Sequence, residues 1–118
     1  MEFNHSNLNI ETEYPKLVRD RIPEIIKKNE GIEIKIRIMD DNNEYLEYLL
    51  KKIVEEATEL QNATETEEII VELADIYEII DSILEAKGKT REDIDIIETE
   101  KRKKNGGFKK RILMLGKN

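Results

Sequence analysis

Residues 43–88 read NEYLEYLLKKIVEEATELQNATETEEIIVELADIYEIIDSILEAKG, and this stretch determines the fold. Its apolar side chains recur every three or four residues in two blocks, separated by a short polar segment around Thr64. That spacing is typical of amphipathic helices, and so short a connection makes consecutive helices fold back antiparallel. The stretch therefore predicts a helical hairpin, with one helix over about 43–62 and a second that ends before Gly88.

Each predicted helix of the hairpin carries two carboxylates three residues apart, a spacing that places side chains on one face. Glu56 and Glu59 belong to the first helix, and Glu72 and Asp75 belong to the second. Glu56 and Glu72 lie eight residues on either side of Thr64, so an antiparallel hairpin brings them to the same height. We expect the four carboxylates to converge at the edge of the core, where close like charges need a compensating cation.

The ligand types available in the chain favour one class of metal. Carboxylate oxygens without thiolate or imidazole suit Mg²⁺, with Mn²⁺ as a substitute, better than zinc or copper. The chain has no cysteine, and its one histidine is His5. A di-iron carboxylate centre is excluded because that class needs Glu-x-x-His pairs. Solvated helix faces remain the alternative interpretation of these acids, and Glu68 is left open between an outer ligand and a charge near the helix start.

Shorter elements flank the hairpin. A helix is predicted from residue 20 or 21 to about residue 29, with Pro23 in its first turn and Gly31 after its end. Thr64 and Glu67 have the spacing of a capping box for the second hairpin helix. Thr90 and Asp93 have the same spacing, which predicts a further helix to about residue 104.

The ends of the chain give three further expectations. Residues 1–13 show no periodicity and predict a flexible N-terminal leader before a single domain over 14–118. The alternating residues 32–39 (IEIKIRIM) predict a strand with one buried face. Because a single strand cannot satisfy its own backbone, residues 108–115 (FKKRILML) are expected to pair with it in a two-stranded β-ribbon. The predicted class is thus mainly all-α.

Charge is distributed unevenly along the chain. The net charge is −7, yet residues 101–118 hold eight Lys or Arg and no acid. An acidic body with a basic tail is a poor binder of nucleic-acid polymers but suits a metal–phosphate complex. No apolar run approaches the roughly 20 residues of a membrane span, and the chain start does not look like a signal peptide. We therefore expect a soluble cytoplasmic protein with no membrane partner.

The acidic motif reads Glu55-Glu56-Ala57-Thr58-Glu59, twelve intervening residues, and Glu72-Leu73-Ala74-Asp75. It resembles the E-E-x-x-E and E-x-x-D hallmark of the MazG-like all-α nucleotide pyrophosphohydrolases. The segment KLVRDRIP at 16–23 resembles the opening of a subgroup labelled phosphoribosyl-ATP pyrophosphohydrolase-like, and NGGF at 105–108 resembles that subgroup's ending. The resemblance covers nearly all of the chain after residue 13.

This resemblance implies metal-dependent attack of water on an internal phosphorus, which releases a nucleoside monophosphate and pyrophosphate, and a house-cleaning role in the nucleotide pool. It implies that Mg²⁺ is held by four residues: Glu56, Glu59, Glu72 and Asp75. It makes Glu55 an accessory carboxylate that orients or deprotonates the attacking water. It also implies a helical bundle completed by dimerisation, and the broad apolar stripes independently predict a homodimer or dimer-based tetramer.

Basic side chains at both ends of the domain are candidates for binding the substrate phosphates. They are Lys16, Arg19, Arg21, Lys101, Lys104 and Lys109. Their alternative interpretation is as surface charges paired with helix acids. The whole chain also has a non-enzymatic alternative, a helical dimerisation or cation-binding module. The base and sugar of the nucleotide stay open, because related enzymes share a metal site and differ in their pocket walls.

Overall fold

The computed structural model describes residues 14–118, which contain four α-helices. In chain order these are Ile22–Glu30 (α1), Asn42–Asn62 (α2), Thr66–Ala86 (α3) and Arg91–Asn105 (α4). No residue in this range is in a strand, so the predicted all-α class is confirmed. The predicted leader over 1–13, with His5, lies outside the described residues. No helix within 14–118 combines the length and the apolar character that crossing a bilayer requires.

Helices α2 and α3 form the predicted antiparallel hairpin and pack along their length. Its apolar centre is small: Leu49 is 3% exposed and Ile79 is 7% exposed. These two residues are equally far from the connection between the helices, so they lie at the same height. At the open end of the hairpin, Asn42 Nδ2 donates to the carbonyl oxygen of Ala86 at 3.0 Å. This bond joins the start of α2 to the end of α3.

The predicted starts of α2 and α4 and the predicted end of α1 are confirmed. Asp41 caps α2, since its side chain accepts from the backbone N–H of Asn43 at 2.9 Å. Gly31 follows α1 in the left-handed region, where glycine has no steric penalty (φ 68°). At the start of α4, the backbone N–H of Thr90 donates to Asp93 Oδ2 at 2.8 Å.

The capping box predicted for α3 at Thr64 and Glu67 is wrong by one residue. Helix α3 begins at Thr66 with Glu65 as its N-cap, and the backbone N–H of Glu65 donates to Glu68 Oε1 at 3.2 Å. The same spacing thus operates one position later, because the carboxylate of Glu65 can serve as the capping acceptor. This bond assigns Glu68 to the helix start, which the sequence had left open.

The predicted two-stranded ribbon does not form within residues 14–118. Segments 32–39 and 108–115 both lack strand structure, and Ile36 and Ile38 are 59% and 80% exposed. The physical reason is the position of the second segment. Helix α4 is 15 residues long, about 22 Å, and it does not pack along the hairpin. Nothing therefore holds 108–115 against its intended partner, and an unpaired strand has no ladder of hydrogen bonds.

Helix α4 joins the hairpin chiefly through its first residue. The guanidinium of Arg91 donates to both carboxylate oxygens of Asp81, at 2.7 and 2.9 Å, and lies 4.7 Å from the ring centre of Tyr77. Every residue from 91 to 118 is exposed. The C-terminal quarter of the chain, residues 91–118, therefore extends from the hairpin as a projecting arm.

Candidate metal centre

Three of the four predicted metal-binding carboxylates meet between α2 and α3. Glu56, Glu59 and Glu72 each offer an oxygen, and these oxygens all lie within 4.8 Å of one another. Glu56 is 2% exposed and Glu72 is fully buried. Asp75 borders the group with a side chain that is 17% exposed.

The two buried carboxylates lie on the same sides of their helices as the two core residues. Glu56 follows Leu49 by seven residues on α2, and Glu72 precedes Ile79 by seven residues on α3. Seven residues make about two helical turns, so each carboxylate points to the same side of its helix as the core residue. The hairpin thus buries a pair of carboxyl groups where the pattern would otherwise call for two apolar side chains.

The outer carboxylates of the group open toward one face of the hairpin. Glu59 and Asp75 each follow a buried glutamate by three residues, which turns them about 60° from it. Because α2 and α3 are antiparallel, these two rotations bring Glu59 and Asp75 to the same face. Both are only partly buried. A ligand would therefore reach the buried pair from this face, which we call the open face.

Burial is the largest cause that raises the pKa of Glu56, from 4.5 to about 9. Hydrogen bonding to the carboxyl groups of Glu72 and then Glu59 raises it further, followed by the negative charges of Glu59 and Asp75. At neutral pH the metal-free cluster consequently keeps a proton on Glu56, shared with its neighbours.

The donor set fits a hard divalent cation. Three carboxylate oxygens converge at the cluster, and oxygen ligands suit Mg²⁺ or Mn²⁺. The raised pKa of Glu56 reflects first its burial and then its carboxyl neighbours, both of which make the ionised form costly. A divalent cation there would replace the shared proton and balance the carboxylates.

Arg19 fixes the segment before α1 to the edge of the cluster. Its Nη2 donates to Asp75 Oδ1 at 2.8 Å, although the arginine side chain is itself 56% exposed. A guanidinium has five N–H donors, so Arg19 can bind Asp75 and still present donors to an anion on the open face.

Glu55 does not belong to the group of converging oxygens. Its Oε1 lies 3.4 Å from Lys52 Nζ. Glu55 and Lys52 line a recess of about 130 Å³ together with Lys16, Tyr48 and others. Helical rotation places these α2 residues on the open face as well. Among the predicted basic residues, Lys16 is therefore the one found in this recess.

The remaining predicted phosphate-binding residues have other surroundings. Arg21 Nε donates to Glu24 Oε1 at 2.8 Å, and both side chains are mostly exposed. This is the surface pairing that was the alternative for Arg21. Lys101, Lys104 and Lys109 lie on the projecting arm, where every residue is exposed. One chain alone does not bring these three lysines onto the hairpin.

Two lysines of the recess were missed at the sequence level. Lys51 and Lys52 line it beside Tyr48, and Lys51 Nζ lies 4.8 Å from the centre of the Tyr48 ring. A signal for Lys52 exists in the sequence, since it precedes Glu55 by three residues and such pairs meet on a helix. The recess itself was not predictable, because its other wall is the segment before α1.

Comparison with known proteins gives no relative from which a role can be carried over. The chain matches no family model, no curated protein and no solved structure. The geometry and chemistry of the carboxylate cluster and of the open face around it are therefore the basis for inferring a function.

Proposed function

We propose that this chain is a Mg²⁺-dependent nucleotide pyrophosphohydrolase. Its substrate would be a nucleoside triphosphate or a phosphoribosyl-ATP-like nucleotide, and its products the monophosphate and pyrophosphate. The observation that carries the proposal is the convergence of Glu56, Glu59 and Glu72 within 4.8 Å, two of them buried. These residues occupy the positions that resemble the MazG-like motif, which supports a house-cleaning role in the nucleotide pool.

The cation would be held by four carboxylates: Glu56, Glu59, Glu72 and Asp75. When bound, Mg²⁺ neutralises phosphate charge and makes water a better nucleophile, and Mn²⁺ can substitute for it. Burial of Glu56 and Glu72 supports this assignment, because buried carboxylates are stable only when protonated or paired with a cation. Asp75 is oriented by its bond with Arg19, as metal-binding carboxylates commonly are by an outer partner.

The reaction needs a base beside the attacking water, and we assign that role to Glu55. In the proposed step the water oxygen bonds to the internal phosphorus, while the bond from that phosphorus to the bridging oxygen of the leaving pyrophosphate breaks. The proton of the water passes to a carboxylate. Glu55 is partly exposed on the open face and lies one residue from the cluster. Arg19 would donate to the phosphates from the other side.

A second copy of the chain would complete the bundle. Helical rotation places Leu50 and Val54 of α2 and Leu73 and Tyr77 of α3 on one face of the hairpin, opposite the open face. All four are exposed, by 41–64%. Pairing this face between two hairpins would give a four-helix bundle and leave both carboxylate clusters accessible.

The test is a panel of canonical, deoxy and modified nucleotides incubated with the protein and Mg²⁺. We expect equal amounts of monophosphate and pyrophosphate from at least one nucleotide. Glu56→Gln and Glu72→Gln should each lower the rate at least about 100-fold, because outer partners of a metal site alone are worth about 10–100-fold. A matched control is Glu78→Gln, which removes an exposed glutamate from α3.

A non-enzymatic helical dimerisation or cation-binding module remains the second candidate. The observation in its favour is the exposed apolar surface, which includes Leu113 and Leu115 of the arm at 81% and 90% exposure. If no nucleotide in the panel yields pyrophosphate while the protein still dimerises and binds Mg²⁺, the enzyme proposal is wrong and this alternative holds.

A further inference from the structure

The recess beside the cluster carries positive charge in a strongly acidic protein. Three lysines line it, Lys16, Lys51 and Lys52, against a single acid, Glu55. The chain as a whole has a net charge of −7. The local excess of lysines is therefore opposite in sign to the net charge of the chain, and a positively charged site attracts anions.

The lysines of the recess differ in burial and in their existing contacts. Lys51 Nζ lies 3.4 Å from Glu47 Oε2 and over the Tyr48 ring, and its side chain is 63% exposed. Lys52 Nζ lies at the same distance from Glu55 Oε1, but its side chain is only 19% exposed. Lys16 is half-buried and has no carboxylate within salt-bridge distance in the described part of the chain. Lys16 and Lys52 are thus the two ammonium groups best able to bind an added ligand.

The recess lies next to the carboxylate cluster on the open face. Glu55 borders the recess, and Glu56 of the cluster follows it in the chain, with its Cα about 3.8 Å away. The segment before α1 spans the same two places, since Lys16 lines the recess and Arg19 binds Asp75. Three extended residues cover at most about 10 Å. A short phosphate chain that starts at the cluster can therefore reach the recess.

The size of the recess limits what it can hold. Its volume is about 130 Å³, well below the roughly 300–1,000 Å³ of pockets that enclose whole small-molecule ligands. A recess of this size has room for one or two phosphate groups but does not enclose a nucleoside. The lysines provide the charge-assisted hydrogen bonds that phosphate oxygens accept.

We propose that the recess is an anion subsite in which Lys16 and Lys52 bind the terminal phosphates of the nucleotide, the pair that leaves as pyrophosphate. The inference rests on the proposed function for the identity of the substrate. Binding of the terminal phosphates in the recess orients the substrate. The phosphorus under attack then lies at the carboxylate cluster, and the nucleoside extends away from the recess. Phosphate binding also separates Lys52 from Glu55, which frees the carboxylate beside the attacking water.

The test uses inorganic pyrophosphate and a nucleoside monophosphate as separate probes, titrated into the full chain in a calorimeter. Pyrophosphate is titrated with EDTA present and again with Mg²⁺. Lys16→Gln and Lys52→Gln should each weaken pyrophosphate binding about tenfold, and Lys52→Arg should retain most of the affinity. Lys28→Gln, an exposed lysine on α1, is the matched control. Monophosphate affinity should be unchanged in all four variants.

Three results would overturn the subsite. They are wild-type pyrophosphate affinity in both glutamine variants, no pyrophosphate binding by the wild-type protein, and an equal loss of affinity for the monophosphate. Thermal unfolding of each variant identifies any that fail to fold. If a glutamine variant fails to fold, the pyrophosphate affinity of Lys52→Arg decides whether the subsite stands. Failure of the proposed function is distinguishable, because lysine-dependent pyrophosphate binding without any nucleotide hydrolysis would leave the subsite standing. Hydrolysis with wild-type KM and pyrophosphate affinity in Lys52→Gln would reject the subsite alone.

Discussion

Among single residues, Glu56 and Glu72 most affect stability and metal binding, because they place ionisable carboxyl groups at core positions. An apolar pair at these heights would stabilise the hairpin as Leu49 and Ile79 do. Carboxyl groups there cost stability unless they are protonated or bind a cation. The raised pKa of Glu56, about 9, is the direct consequence of that burial.

This pKa predicts how the stability of the metal-free protein depends on pH. Below pH 4.5 Glu56 is protonated in both folded and unfolded chains, whereas between 4.5 and about 9 only the folded state keeps the proton. The free energy of unfolding therefore falls as pH rises through this window. We expect a loss of at least about 1 kcal/mol between pH 5 and pH 8, measured by denaturant unfolding in EDTA.

Glu56→Gln provides the control for this pH dependence, because the amide does not titrate. The variant should have a flatter profile and should exceed the wild type in stability at pH 8. Mg²⁺ should stabilise the wild type more at pH 8 than at pH 5, since binding has to displace fewer protons there. Identical pH profiles for the two proteins would mean that Glu56 does not titrate as described.

The residues that were predictable from the sequence share a property: their positions follow from the period of one helix. The carboxylates at 56, 59, 72 and 75 are of this kind, since spacing and the hairpin turn determine their height and face. The recess is different, because Lys16 meets Lys52 only through the path of the segment before α1. No periodicity in the sequence indicates the path of that segment. Arg21 is a different case, because its partner Glu24 is only three residues away and pairing with a helix acid was already the alternative interpretation.

At the scale of elements, the hairpin has little apolar core of its own. Leu49 is one of only two buried apolar residues within 14–118. Leu49→Ala should therefore destabilise the protein by about 2–4 kcal/mol, through lost burial and the cavity left behind. Chemical unfolding measures this value. Ile38→Ala, at a side chain that is 80% exposed, should change stability by less than about 0.5 kcal/mol, and equal effects would mean that the core is elsewhere.

The helices were predictable from the sequence and the ribbon was not, because helix caps depend on neighbouring residues and the ribbon depends on distant ones. Caps such as Asp41 and Thr90 act on backbone groups two or three residues away, so local sequence determines where helices begin. A ribbon between 32–39 and 108–115 needs two segments about 70 residues apart to meet. The orientation of α4 decides that, and the apolar alternation of 32–39 carries no information about it.

At the scale of the whole molecule, a single chain is extended. Its radius of gyration is 17.9 Å, whereas a compact domain of this length has about 13 Å. The projecting arm, which does not pack along the hairpin, accounts for this extended shape. The apolar face of the hairpin and the apolar residues of the arm consequently have nothing to pack against in one copy. This shape is the main support for a dimer.

Sedimentation equilibrium tests the dimer directly. We expect a homodimer, or a tetramer made from two dimers, at micromolar concentration. Val54→Glu introduces a charge into the apolar face, at a side chain that is 64% exposed in one chain, and should shift the protein to monomer. Glu47→Gln, on the same helix but at a polar exposed position, is the control. A wild-type monomer at these concentrations would refute the bundle.

Mn²⁺ titration measures whether the cluster of Glu56, Glu59, Glu72 and Asp75 binds a divalent cation. The electron paramagnetic resonance signal of free Mn²⁺ disappears on binding, and competition with Mg²⁺ restores it. We predict saturable binding by the wild type and by Glu78→Gln, with at least a tenfold loss of affinity in Glu72→Gln. Equal Mn²⁺ binding by Glu72→Gln and the wild type, or no binding by either, would contradict this account.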